Sequence, residues 1–333
     1  MKFGASYFGN RMVKYVAQDM KRMKEEGFDY VVHTFSENDF FFYRETMKEI
    51  VEVSKEAGLE VWIDPWGVGR VFGGEAFSGF AENNIEECQV LSDKKPIGIA
   101  CPNSPKFRAF LKEWIDAANE TGADYFFWDE PHFYIPSWLG GRKDTWGCTC
   151  KYCRDKYYWE TSEIFPTKLT PTLTELKDKW MVEFLTEMIN EVKHKGKKNV
   201  VCVFPSKSGE GVMNWDKIAG IKGLDNFGTD PYWFQLDVDY KKFAKECAKK
   251  TIEVCGKYQI DSHIWLQGFK VPEGREEELA VAVDIYTSFG IRNIAVWGFD
   301  ACRHMSHLAS KDTDRVWNTI ITAFQKAKKN NSF

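Results

Sequence analysis

Eight short apolar segments alternate with eight amphipathic ones along the 333 residues, and this alternation narrows the fold more than any other feature. The strand-like segments are Phe3 to Phe8, Asp29 to Thr34, Glu60 to Asp64, Asp124 to Pro131, Asn199 to Phe204, Leu224 to Asp230, Ser262 to Gln267 and Asn293 to Asp300. Each is a short apolar run, as expected of strands buried on both faces. The segments between them have helical periodicity. From about Arg11 to Glu26, Val13, Val16, Met20 and Met23 share a face, and Gly27 ends the helix. The next is predicted over 44–57, with Met47, Ile50, Val51 and Val53. Ser104-Pro105 opens a third, carrying Phe107, Phe110, Leu111, Trp114 and Ile115 and ending near Gly122. The others are predicted over 173–195, 215–219, 240–255, 276–289 and 312–328. Strict alternation implies a parallel sheet, and eight units over this length imply a closed (β/α)8 TIM barrel. An open doubly wound sheet is the alternative, but Gly4 and Gly9 do not make its phosphate-binding fingerprint. The expected organisation is one barrel over 1–333, with long loops after the third and fourth strands. The first covers 66–105; the second is a cysteine-rich insertion at about 131–172.

The net charge of -4, with Lys and Glu scattered over predicted helices, argues against a nucleic-acid surface. The first ten residues have no apolar leader core, and no run approaches the ~18 apolar residues of a membrane span. A cytoplasmic location is expected, and there nine cysteines point to free thiols or metal ligation, not disulfides. Aromatic residues make up 16% of the chain, with 13 Trp. They serve either a large aromatic core or platforms for a ligand with apolar faces, such as a sugar.

In a barrel of this kind the C-terminal strand tips face the active site. Those tips are Tyr7, His33, Asp64, Asp129 with Glu130, Ser206, Asp230, Gln267 and Asp300, with Trp66, Trp128, Trp233, Trp265 and Trp297 close by. Carboxylates among aromatics are what glycosidic bond cleavage needs: one acid protonates the leaving oxygen, and one carboxylate attacks the anomeric carbon or activates water. Glu130, beside Pro131, is the first candidate for catalysis, with Asp129 and Asp230 after it. Each also has a structural reading: loop anchoring for Glu130, a helix-facing position for Asp129, a turn cap for Asp230. Tyr7, His33, Asp64, Gln267 and Asp300 are candidate substrate-binding residues, and Trp66, Trp233 and Trp265 candidate sugar platforms. His33 is equally well a core histidine, and Asp64 and Asp300 equally well loop caps.

Cys148, Cys150 and Cys153 are spaced C-x-C-x-x-C. Three such thiolates hold zinc if a fourth ligand arrives from elsewhere. Upstream, Ala100-Cys101-Pro102-Asn103-Ser104-Pro105 resembles the Cys-Pro-x-Ser-Pro segment of family 42 glycoside hydrolases, the β-galactosidase type. The resemblance covers roughly residues 97 to 158. It implies a structural zinc ion held by Cys101, Cys148, Cys150 and Cys153, and an acid/base role for Glu130. The chain departs from that family twice. The Asn that precedes the acid/base is Asp129 here, and the seventh strand ends in Gln267 where the family has its nucleophilic Glu. A second layout, with an Asp nucleophile after strand four and an Asp acid after strand six as in α-glycosidase barrels, suits Asp129 and Asp230.

The expected function is therefore a glycosidase acting on an oligo- or polysaccharide. The alternatives are a carbohydrate-binding barrel without catalysis, and a sugar isomerase or lyase holding a divalent ion through His33, Asp64, Glu130 and Asp230.

Overall fold

The computed structural model describes residues 1–136, 142, 144–205, 211, 214–234, 236 and 238–330. Eight parallel strands close into a barrel: β1 (Lys2–Tyr7), β2 (Tyr30–Thr34), β3 (Glu60–Asp64), β6 (Tyr125–Asp129), β7 (Lys198–Val203), β8 (Asn226–Thr229), β9 (Asp261–Gln267) and β10 (Asn293–Trp297). Each lies beside its neighbours in chain order, and β10 pairs with β1 to complete the ring. The helices outside are α1 (Val13–Glu26), α3 (Arg44–Glu56), α5 (Pro105–Glu120), α7 (Pro171–His194), α8 (Trp215–Ala219), α9 (Tyr240–Tyr258), α10 (Glu277–Ser288) and α11 (Thr313–Asn330). This is the (β/α)8 barrel that the alternation implies.

Local chemistry sets the helix ends. Ser104 and Thr170 accept hydrogen bonds from the Phe107 and Leu173 amides, each just before a proline in the first turn of α5 and α7. Gly27, at φ 99°, closes α1 in a conformation that would strain other residues.

Three further pieces occupy the loops: α2 (Glu37–Phe42) after β2; α4 (Gly79–Asn83) and the hairpin β4 (Cys88–Val90) with β5 (Pro96–Ala100) after β3; and α6 (Lys151–Thr161) after β6. In sequence α4, β4, β5 and α6 fall within the expected long loops, and 37–42 carries no expectation.

Two cores result. Helices pack on the outer barrel face through residues such as Val16, Met20, Trp114, Trp180 and Trp317. Inside, Tyr30, Trp62, Phe127, Trp265 and Trp297 fill the lumen. Tyr30 stacks on Trp62 at 4.4 Å, and Trp265 lies between Phe127 at 5.2 Å and Trp297 at 5.7 Å. Gly4 makes room for this filling: a Cβ there would come within 2.2 Å of the Tyr30 ring. Of the 12 Trp among the described residues, eight are fully buried, so most of the aromatic excess is core. Among the described residues, no helix is long and apolar enough to cross a membrane.

Candidate active site

Trp62 and Phe127 point into the lumen, so two residues further along Asp64 and Asp129 do as well. Simple alternation would then send Glu130 outward. It does not hold, because β6 ends at Asp129 and Glu130 takes φ 41°. A side-chain-bearing residue in this region costs about 1–2 kcal/mol, a strain found at functional sites. The Glu130 amide still donates to Cys202 O of β7 at 3.0 Å.

The loop after β3 is laced to this tip. The Gly73 amide donates to Asp129 O at 3.0 Å, and the His132 amide to Val71 O at 2.9 Å. A Cβ on Gly73 would lie 2.5 Å from Asp129 Oδ2 and 2.9 Å from Glu130 Oε2, so both carboxylates converge on one glycine. Across the mouth, Asp230 follows β8 and shares a hydrogen bond with Glu130.

Burial and mutual repulsion control the charge here. Burial first, then the charges of Asp129, Glu75 and Glu130, hold the Asp64 carboxyl well above the usual carboxylate range. Neither Asp64 oxygen meets a donor. Asp129 is raised for the same reasons, by burial, Glu130 and Glu75. Asp230 is pushed up to about 7 by burial and by Asp129, while its bond with Glu130 pulls it back. Among the described residues, no Lys or Arg forms an ion pair with Asp64, Asp129 or Asp230. A mouth without a paired cation holds protonated and ionised carboxyls side by side, which is the pairing that general acid–base chemistry uses.

A stability prediction follows from the sign of the Asp230 shift. The folded state holds the proton more tightly than the unfolded chain, whose value is near 3.8. This contribution is complete below that pH and is lost as pH rises through about 7. The melting temperature should therefore fall across this window, and Asp230→Asn should flatten part of the fall. Calorimetry at fixed ionic strength measures it; an identical slope in the variant would show that Asp230 ionises normally.

Of the other sequence candidates, two lie at the mouth. Trp66 packs against the lumen cluster, stacked on Phe8 at 5.5 Å. Gln267 is buried at the end of β9, its amide donating to Phe269 O at 3.1 Å. The rest lie elsewhere. Tyr7 faces α1, its hydroxyl donating to Asp19 at 2.6 Å. His33 faces α3, 2.8 Å from Ser54 Oγ, with burial lowering its pKa to about 3, so it is a neutral core histidine. Trp233 packs outside the barrel and donates to Glu278 at 2.8 Å. Trp265 is 1% exposed and forms the floor beneath the mouth, with no free face for a sugar. Asp300 binds Arg22 and Arg303 and ties the loop after β10 to α1. Ser206 lies outside the described residues.

The structure adds Gly73, Cys202, Tyr232 and His132. The Cys202 thiol and Tyr232 hydroxyl are raised by burial and by the nearby acids. His132 donates to Glu130 O at 2.5 Å, and burial lowers its pKa to about 4. Tyr232 had a sequence signal, its place two residues after Asp230; Gly73 had none.

Cys101, Cys148, Cys150 and Cys153 come together as the sequence resemblance implies. All four are buried, with sulfur atoms within 4.8 Å of one another. Cys101 Sγ is 3.6 Å from Cys153, 3.9 Å from Cys148 and 3.5 Å from Cys150. These separations are too long for disulfides. Asn103 donates to Cys153 Sγ and the Cys150 amide to Cys148 Sγ, both at 3.4 Å. The half-buried Lys177 ammonium donates to Gly147 O beside them. Four buried cysteine sulfurs with a cation alongside form a site that can hold a metal ion.

No protein-family model matches the sequence, and no curated protein does. Solved structures do. The β-amylase catalytic domain from Paenibacillus polymyxa superposes with a TM-score of 0.67 at 9% identity, over 96% of this chain and 98% of that one. The endo-β-1,4-mannanase from Thermotoga petrophila gives 0.60 at 11%, over 98% and 76%. D-psicose 3-epimerase from Clostridium cellulolyticum H10 gives 0.51 at 13%, over 99% of each. At these identities the likeness is one of fold: the chain has the TIM-barrel architecture that these carbohydrate-active enzymes share.

Proposed function

We propose that this chain is a glycoside hydrolase. The observation that carries the proposal is the hydrogen-bonded pair Glu130 and Asp230, set among Asp64 and Asp129 at the barrel mouth with Asp230 near neutrality. Glu130 protonates the leaving oxygen, and Asp230 or Asp129 attacks the anomeric carbon or activates water. Asp64, held protonated, donates to a sugar hydroxyl; Trp66 and Tyr232 are the walls. The resemblance of the Cys101 to Cys153 region to family 42 supports this class, and so do the amylase and mannanase among the fold neighbours. A panel of aryl glycosides with products followed by NMR tests the proposal. Release of phenol with one anomer formed first supports it; no release from any member sinks it.

The epimerase likeness favours a second reading, a divalent-metal sugar isomerase. Against it, the described groups of ligand atoms that converge as a metal needs are the four cysteines, not the mouth carboxylates. Ketose–aldose interconversion that appears with added Mn²⁺ or Co²⁺ would establish it.

The four cysteines hold zinc in this proposal. A tetrahedron with Zn–S bonds of about 2.3 Å has sulfur atoms about 3.8 Å apart, and the three separations from Cys101 Sγ run from 3.5 to 3.9 Å. Zinc there supplies no chemistry to the mouth; it clamps Cys101, before α5, to the loop and helix that follow Glu130. Nine cysteines, none of them in a disulfide, support the cytoplasmic reading.

Gly73→Ala gives a direct check on the geometry. The added methyl meets only flexible carboxylate tips, so the fold should survive while both acids are pushed aside. Displacement of this size costs on the order of 10²-fold in rate. Steady-state kinetics beside a melting curve measures both; unchanged turnover would place the reacting groups elsewhere.

A further inference from the structure

The mouth does not end at the acids. A groove of about 630 Å³ leads outward from Trp66, Gly9 and Ala76, between α2 and the loop after β3. Its inner end reaches Trp66, which packs on the lumen cluster at the mouth. Gly9 follows Phe8 of the lumen cluster, and Ala76 follows Glu75, whose charge acts on Asp64 and Asp129. Its outer rim carries rings that water reaches: Phe41 is 59% exposed, Phe42 76% and Phe77 84%. Phe40, on the same short helix, is buried, so the helix already has its core contact and the outer rings are surplus to it.

The walls are held rigidly. Glu37 is buried and accepts from the Gly69 amide, Ser78 Oγ and the Phe80 amide, which fastens the loop after β3 to α2. Arg11 grips Asp39 with two hydrogen bonds of 2.6 and 2.8 Å. Asp39 in turn accepts from the Ser36 amide and hydroxyl. A groove fixed by such bonds loses little entropy when filled. Its size lies within the range of pockets that bury a small ligand. Its lining matches one chemistry. A pyranose presents a face of C–H groups to an aromatic ring and hydroxyls at its edge, and the exposed Asn38 amide stands among the rings to meet them.

We infer that this groove binds the continuation of a glycan chain whose scissile bond lies at Glu130 and Asp230. The inference rests on the glycosidase reading and deepens it: the substrate is an oligo- or polysaccharide, and a lone glycoside fills only part of the site. Shared lining with the mouth through Trp66 is what favours a sugar chain over a second copy of this protein.

The test compares disaccharides with hexaoses of β-1,4-linked glucose, mannose and xylose and α-1,4-linked glucose, on wild type and on the double variant Phe42→Ala/Phe77→Ala. Both rings are exposed, so the melting temperature should hold. In wild type, kcat/KM should rise with length for the linkage that is cleaved. In the double variant, the hexaose-to-disaccharide ratio should fall at least tenfold. A ratio near one in wild type, or an undiminished ratio in the variant, overturns the inference while leaving the glycosidase reading standing. If nothing is cleaved, the glycosidase reading fails, and calorimetry decides the groove. Hexaose binding lost in the variant retains it, and no hexaose binding in wild type overturns it. Sedimentation of wild type as a dimer and of the variant as a monomer would show a self-association face, and overturns it too.

Discussion

Glu130→Gln is expected to lower kcat by about 10²–10⁴-fold, the range for loss of a positioned acid or base, with little change in melting temperature. The amide keeps the shape and can still hydrogen-bond to Asp230, but it has no proton to give to a leaving oxygen. The loss should depend on the leaving group. An aryl glycoside with an acidic phenol departs without protonation, so its rate should fall least; an alkyl glycoside or disaccharide should lose most. A uniform loss across leaving groups would make Glu130 a nucleophile or base instead of the proton donor. Near-normal turnover on every substrate would remove it from the chemistry. The substitution also has an electrostatic consequence. The Glu130 charge helps to raise Asp64 and Asp129. Removing it lets both ionise at lower pH, so the acid limb of any residual activity should move down in pH.

How much of this was legible beforehand divides along physical lines. The eight strands were, because a short apolar run set between two helical patterns has little else to become than a buried strand. Which face each residue takes was not. In a parallel barrel both faces of a strand are buried and apolar, so alternation has no polar side to set its phase. Tyr7 and His33 show the consequence: paired in register on β1 and β2, both point outward to helices although each lies near the C-terminal tip of its strand. At Asp230-Pro231-Tyr232-Trp233 the same ambiguity exchanges roles. Tyr232 packs with the lumen cluster, and Trp233 goes to the helices. The left-handed backbone at Glu130, which brings two adjacent acids to one mouth, has no signature in residue type. Nor do the small loop elements: α2 is six residues and β4 three, too short for periodicity to register. Three of the cysteines were legible because ligand spacing is a covalent constraint within one loop; the fourth, Cys101, came only with the resemblance to family 42.

Those cysteines carry the second large prediction. Cys148→Ser should remove the metal and lower the melting temperature by ten degrees or more, with wild type holding close to one zinc per chain by atomic emission. The scale follows from apparent zinc binding energies of about 10–16 kcal/mol in small thiolate sites, of which a preformed barrel loses only the part coupled to its loops. Breaking the site also empties it. Three buried sulfur atoms would remain without the ion that binds them, and burial favours thiols there, as at Cys101 and Cys153, so the cross-link between the loops is lost. The damage should reach activity indirectly. Cys101 precedes α5 while Cys148, Cys150 and Cys153 follow the acid-bearing tip of β6, so releasing the clamp loosens the loops on both sides of Glu130. A chelator should act in the same direction, more slowly, and added zinc should restore both stability and turnover. Less than about a tenth of an equivalent of any metal in freshly purified protein, with a melting temperature indifferent to chelator and to Cys148→Ser, would make the cluster four packed thiols. Turnover lost in chelator at full thermal stability would instead put a working ion at the mouth and revive the isomerase reading. The two readings therefore separate on stability, not on metal content, since both predict a bound divalent ion.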